Sequence, residues 1–331
     1  MSEYRQDLLT GRWVVMAPER QARPITTTEA AQCDPQAQDP FEAGQESQTP
    51  PEVLAYREPG GQANGPGWNV RVVPNKYPAL QREDSSGPPW DASLLRQPGM
   101  GVHEVVIECP QPETQLARLS AAQLHLILQS YRDRLQTLSE DPRLAHAIVF
   151  KNQGALAGAS LAHCHSQIIA TPIVTSIVAA ELAGAQRYHA QHHRGYFSDL
   201  IRDEQAVGTR IVCETEWFLA FCPFASRFAY ETWIVPKVEG SHYERAADAL
   251  LVDLGTIYLR VLQALAEVLH EPPLNAYLHS ALFRTGDLPH FRWHWEIFPR
   301  ITRVAGFEWA SDCFINPVLP ETAAVALRSA L

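Results

Sequence analysis

No Cys-x-x-Cys pair occurs in the 331 residues, and the six cysteines (Cys33, Cys109, Cys164, Cys213, Cys222 and Cys313) are scattered. That spacing excludes a dense disulfide framework and fits reduced thiols in a cytosolic chain. Basic charge is short as well: 27 Lys and Arg face 37 Asp and Glu, a formal net charge of −10. The deficit excludes an extended nucleic-acid surface, although small anionic substrates need only a few local donors. Every long apolar stretch is broken by charged or polar residues, so no membrane span is expected. Residues 1–7 are polar and lead into no apolar segment, so a secretory signal is not expected either. The expectation is a cytoplasmic protein with neither a membrane nor a nucleic-acid partner. A hydrophobic content of 46% is enough for a sizeable core, and the length points to about two domains.

Residues 12–18 read as a strand after the turn Leu9-Thr10-Gly11, and 24–67 as a long loop region rich in Pro, Gln, Gly and Thr. Strands are expected at 69–73, 102–107 and 147–150. Ser120 caps an amphipathic helix to about residue 139, with Leu124, Ile127, Leu128 and Leu135 at helical spacing. A strand around His163-Cys164-His165-Ser166-Gln167 and a helix over 173–194 complete the first half. The second half follows a similar plan: strands at 218–223 and 232–237, a helix over 244–269, and strands at 274–283 and 291–299. The expected fold is α+β, mainly antiparallel sheet with packed helices. It divides into two units related by internal duplication, 1–195 and 196–331.

Side chains alternate across a strand, so His163, His165 and Gln167 share one face. Three polar groups side by side are a costly core face, because each needs a partner when buried. They suit phosphoryl transfer: an imidazole is nucleophilic at neutral pH, and a glutamine amide can donate to a phosphate oxygen. Just upstream, residues 152–160 (Asn-Gln-Gly-Ala-Leu-Ala-Gly-Ala-Ser) form a small, glycine-containing loop whose N–H groups and Ser160 hydroxyl can approach a diphosphate closely. A His-x-His pair alone reads more readily as a metal pair or as satisfied core histidines. Gln167 and the loop shift the reading toward catalysis.

Residues 152–172 resemble the active-site segment of the galactose-1-phosphate uridylyltransferase family, within the histidine-triad superfamily. The resemblance extends to 7–14, 17–24, 49–52, 73–78 and the region around Gly306-Phe307-Glu308. It implies a nucleotidyltransferase in which His165 attacks the α-phosphorus of a UDP-hexose and releases hexose 1-phosphate. A second hexose 1-phosphate then takes the uridylyl group. It further implies that Gln167 orients the phosphoryl group, that Asn152 and Ser160 contact the diphosphate, and that Arg20, Arg23 and Asn75 line the nucleotide pocket. Glu308 falls in the matching carboxy-terminal region. On spacing alone, Arg20 and Arg23 read as a solvated surface pair. The family also implies a homodimer with sites shared across the interface.

Many relatives hold a structural zinc with two cysteines, a further histidine and the first histidine of His-x-His. Here the aligned segment is Asp39-Pro40-Phe41-Glu42, Pro112 stands where the extra histidine is expected, and only His163 remains. Asp39, Glu42 and His163 lack sulfur, so this zinc is expected to be lost or loosely held. A second divalent metal, zinc or iron, has its family ligand positions at Glu181, His279, His294 and Glu296. These residues are equally consistent with a hydrogen-bonded His/Glu cluster. His103, His125, His146, His242 and the group His189, His192 and His193 have no partner that spacing supplies, and Cys164 faces away from the nucleophile. An ADP-glucose or dinucleotide phosphorylase, or a nucleotide-binding protein without turnover, are the competing readings.

Overall fold

Alternation sets the strands that carry the site. In Val102–Ile107 and His165–Thr171 the residues facing the helices are apolar or internally paired, and the other face carries His103, His165 and Gln167 beside Val105 and Ile107. The computed structural model describes residues 3–16, 39–82 and 99–331. Its strands are β1 (Glu3–Gln6), β2 (Trp13–Met16), β3 (Leu54–Arg57), β4 (Trp68–Pro74), β5 (Val102–Ile107), β6 (His146–Gln153), β7 (His165–Thr171), β8 (Ile211–Glu214), β9 (Phe218–Phe221), β10 (Thr232–Pro236), β11 (Leu274–His279), β12 (His294–Pro299) and β13 (Phe314–Asn316). The helices are α1 (Ala121–Ser139), α2 (Ser176–His192), α3 (Tyr196–Val207), α4 (Asp248–Leu269), α5 (Gly306–Ser311) and α6 (Pro320–Ser329).

Ten strands form one sheet in the order β3-β4-β5-β7-β6-β11-β12-β10-β9-β8, antiparallel throughout, while β1-β2-β13 form a small mixed sheet. The fold is α+β, as expected. Read inward from either edge, each five-strand half has its third strand beside its fifth and its fourth at the centre. The halves meet where Asn152 on β6 pairs with Asn275 on β11.

Helix α1 begins where expected, with Ser120 Oγ accepting from Gln123 N–H at 3.1 Å. It packs against α4 on one face of the large sheet, burying Leu124, Ile127, Leu128, Leu135, Leu251, Leu254 and Val261. Helix α4 has the length and apolarity of a membrane span, but Leu251, Leu254, Ile257, Val261, Leu262 and Leu265 on it lie in this core. On the opposite face, Leu9, Ala185, Phe197, Ile201, Phe221 and Trp233 cover the second half. Among the described residues, the first half carries there a small cluster of Phe41, Trp68, Val73, Val105 and Ile107. Three differences from the sequence reading stand out. Strand β3 lies inside the expected loop, α3 and β8 follow α2, and α4 starts at Asp248 after a short 3-10 turn at Tyr243–Arg245.

Candidate active site

Register places both histidine groups on one face of the sheet. Val105 pairs with Gln167, Gln167 with Phe150, Asn152 with Asn275, and Tyr277 with Glu296. Directly paired residues share a face, so His165, Gln167, Asn152, Asn275, His279, His294 and Glu296 all project to the side away from α1 and α4.

The His165 ring is buried and donates from Nδ1 to the carbonyl oxygen of His163 at 2.7 Å. That bond leaves Nε2 as the nitrogen with the free lone pair. Burial pushes the His165 pKa below its ordinary value of 6.5, with the His163 carbonyl opposing, so the ring is neutral at pH 7. The Phe41 ring meets His165 edge-on, with centroids 5.3 Å apart. Behind the strand, Lys151 forms a buried ion pair with Glu108, and its Nζ donates to the His165 carbonyl at 3.1 Å. Tyr131 donates to Glu108 at 2.9 Å and shares a 2.7 Å hydroxyl contact with Ser166. This network fixes the main chain that carries His165.

Gln167 Oε1 lies 2.7 Å from His103 Nε2, and Asn152 Oδ1 accepts from Asn275 Nδ2 at 2.8 Å. Asn75 Oδ1 accepts from Tyr77 N–H, and its Nδ2 lies 3.1 Å from His103 Nε2. Asn75 and His103 also line a cleft of about 500 Å³ with Val53, Leu80 and Val102. Ser160 is exposed on the loop after β6. Gly154 (φ +82) and Gly158 (φ +90) both hold left-handed backbone in that loop, and a Cβ on Gly154 would come within 3.0 Å of Pro273. Glu308 accepts from Ala305 N–H, capping α5, and no hydrogen bond ties it to His165, Gln167 or Asn152. Arg20 and Arg23 lie outside the described residues.

Asp39 and His163 come together, while Glu42 is exposed. Asp39 Oδ2 accepts from His163 Nδ1 at 2.6 Å, and the Cys109 carbonyl accepts from Nε2 at 2.8 Å. Although burial opposes it, the Asp39 carboxylate raises the His163 pKa to about 10. Doubly donating, the ring has no lone pair for a metal. Among the described residues no group of three ligands gathers there, so these positions do not fit the family's zinc. The segment is held otherwise: Asp39 accepts from Phe41 N–H, and Glu46 accepts from Trp68 Nε1 and Gly44 N–H.

The second group does fit a cation. Ligand atoms of Glu181, His279, His294 and Glu296 lie within 4.8 Å of one another, all buried. His294 Nδ1 donates to the Arg292 carbonyl at 3.0 Å, repeating the arrangement of His165, and its buried Nε2 makes no hydrogen bond, with Glu296 Oε1 3.7 Å away. His279 bonds Glu181, and Glu296 is held by Arg227 and Tyr277. Burial works against the charge on Glu296, but Arg227 keeps its carboxyl well below the usual range. Two imidazoles and two carboxylates match zinc or iron donor preferences.

Sequence reasoning missed Phe41, His103, Lys151 and Asn275 as neighbours of His165, Gln167 and Asn152. Cross-strand register and the packing of the segment around Phe41 bring them there, and neither is carried by the alternation of a single strand.

A neutral, oriented imidazole beside two amides and a glycine-bearing loop is equipment for covalent transfer of a phosphoryl-containing group. Residues 1–175 match the galactose-1-phosphate uridyl transferase N-terminal domain family. An ADP-glucose phosphorylase of Arabidopsis thaliana is 34% identical over 98% of this chain and 92% of its own length. A galactose-1-phosphate uridylyltransferase of Thermotoga maritima is 27% identical over 99% and 98%. The crystal structure of an Arabidopsis thaliana ADP-glucose phosphorylase with bound ADP-glucose superimposes with a TM-score of 0.85 at 33% identity, covering 99% of this chain and 98% of that one. The chain belongs to the galactose-1-phosphate uridylyltransferase family, a family of nucleotidyltransferases.

Proposed function

We propose that the chain transfers a nucleoside monophosphate from a nucleoside diphosphate hexose through a covalent intermediate on His165, with ADP-glucose as donor and inorganic phosphate as acceptor. The arrangement at His165, with Nδ1 tied to the His163 carbonyl and Nε2 bare, carries the mechanism. Nε2 attacks the α-phosphorus, forming an N–P bond as the bond to the bridging oxygen breaks and hexose 1-phosphate leaves. The substituted ring keeps its Nδ1 proton, and the His163 carbonyl faces the positive charge that develops. A phosphate oxygen then attacks the same phosphorus and releases the ring. Gln167 and Asn152 donate to the non-bridging oxygens, Ser160 serves the diphosphate from the loop, and the nucleoside occupies the cleft beside Asn75. Arg20, Arg23 and Glu308 keep the substrate roles that the family resemblance implies.

The choice of adenine rests on the 34% identity to the ADP-glucose phosphorylase, and it reverses the order drawn from sequence alone. Uridylyl exchange between UDP-hexose and hexose 1-phosphate is the second reading, supported by the family match and the Thermotoga maritima relative. Intact-protein mass spectrometry after incubation with ADP-glucose, and separately with UDP-glucose, decides between them. The first reading expects an adenylyl adduct discharged by phosphate, absent in His165→Ala. A uridylyl adduct discharged by galactose 1-phosphate selects the second. Tight nucleotide binding with no adduct from either donor overturns both and leaves a binding protein.

A divalent ion at Glu181, His279, His294 and Glu296 would cross-link α2, β11 and β12 as a structural tie. We also infer a cytoplasmic homodimer, built from two units that repeat one plan over 1–195 and 196–331. The matching strand order of the two halves supports the repeat.

A further inference from the structure

Two carboxamides face the reacting phosphorus in the proposed reaction, and an amide helps there only if it presents NH₂ rather than oxygen. Local main-chain groups fix which end each presents. The N–H of Ala79 can only donate, and it lies 3.1 Å from His103 Nδ1. Nδ1 is therefore bare, and the ring proton sits on Nε2. That proton has two neighbours, Gln167 Oε1 at 2.7 Å and Asn75 Nδ2 at 3.1 Å, and only the first is an acceptor with Asn75 Oδ1 already turned to Tyr77 N–H. Gln167 thus keeps its oxygen on His103 and turns its NH₂ away from it. Across the sheet, the Ala157 carbonyl can only accept, and it takes one proton of Asn275 Nδ2 at 2.9 Å. The other proton goes to Asn152 Oδ1 at 2.8 Å. The Asn152 NH₂ then points at the loop, where it would lie 3.7 Å from a Cβ built on Gly158. Neither Gln167 NH₂ nor Asn152 NH₂ has a hydrogen-bond partner among the described residues.

We propose that His103 and Asn275 are positioning residues that hold the Gln167 and Asn152 amides with their NH₂ groups toward the phosphoryl group being transferred. The proposal rests on the nucleotidyl-His165 reading. A released amide rotates, so it presents a carbonyl oxygen to an anionic phosphate part of the time and holds its NH₂ out of line for most of the rest. The loss should be smaller than the ~100–1000-fold that follows deletion of a transition-state donor.

Single-turnover adduct formation from ADP-glucose or UDP-glucose, whichever the wild type accepts, tests it in two double-mutant cycles. His103→Ala is expected to slow adduct formation about 10-fold while donor Kd changes less than about 3-fold, and His103→Gln, which keeps an N–H donor, restores most of the rate. In a Gln167→Ala background the same change at 103 should cost almost nothing. Asn275→Leu keeps the size but loses the donor without adding charge, so it should slow the reaction, and its effect should vanish in Asn152→Ala. Should His103→Ala fail to fold, the Asn275→Leu cycle decides. Equal losses with and without the amide partner would make both residues merely structural and overturn the proposal. A wild type that forms no adduct sinks the nucleotidyl-His165 reading and this proposal with it. A wild type that reacts, beside variants that match it, sinks this proposal alone.

Discussion

For His165 to attack phosphorus, Nε2 must be unprotonated, and the structure secures that twice. The His163 carbonyl claims the Nδ1 proton, and burial lowers the ring's pKa beneath 6.5. Protonation blocks attack, so the rate of adduct formation should be flat from pH 7 to pH 8. It should fall by about tenfold per pH unit only below the lowered pKa. Stopped-flow or quench-flow single turnovers across pH 5–8 measure this, and an inflection at or above pH 7 would contradict the assignment. His165 and Gln167 were legible in the sequence because alternation alone puts them on one face. His103 was not, since its tie to Gln167 is diagonal across β5 and β7 and exists only once Val105 is set opposite Gln167. Lys151 was equally hidden: nothing in the one-dimensional pattern places a lysine against Glu108 behind His165.

Ahead of β3, the segment from Asp39, where the family resemblance implies a zinc, is tied to His163 by an ion pair. Asp39 and His163 each shift the other toward its charged form, the carboxyl downward and the imidazole up to about 10, with burial opposing both. The histidine's contribution to stability is complete below its unfolded pKa near 6.5 and is lost as pH rises through about 10. The carboxylate's contribution is present above an unfolded value near 3.8 and is lost as pH falls through its lowered folded value. Asp39→Asn should therefore cost roughly 1.5–3 kcal/mol near pH 6, and the gap to wild type should narrow toward pH 10. Urea denaturation at a series of pH values reads the gap directly, and a gap constant from pH 6 to pH 10 would show that the pair does not hold the segment. The loss of the sulfur ligands was visible in the sequence, but their replacement was not. Asp39 is the residue that turned from ligand to counterion, and Phe41, between the two lost cysteine positions, became a wall for the His165 ring.

On the scale of the whole chain, one sheet face carries two related devices. Each half begins its inner strand with a histidine whose Nδ1 is bound to the carbonyl two residues earlier, His165 to His163 and His294 to Arg292. Two residues on, the first half has Gln167 and the second has Glu296. A neutral amide suits a phosphoryl group, whereas a carboxylate held ionised by Arg227 suits a cation. Among the described residues, Phe41 and its neighbours pack on this face in the first half, while α2, α3 and Leu9 close it over the second half. The order of strand, helix and His-bearing strand in each half could be read from the sequence, and the strand order of the sheet is consistent with it. The divergence depends on what covers the face, and neither α3 nor the packing of Leu9 leaves a sequence signature that announces it. The two devices should then separate experimentally. Protein purified without added metal should carry about one equivalent of zinc or iron, and this should disappear in His294→Ala. Stripping the ion with a chelator should lower Tm, since an ion present at 100 times its Kd contributes about 2.7 kcal/mol. Adduct formation at His165 should survive below the new Tm, because none of the four ligands hydrogen-bonds His165, Gln167 or Asn152. Loss of adduct formation in stripped protein that remains folded by circular dichroism would show instead that the second half's cluster governs the chemistry of the first.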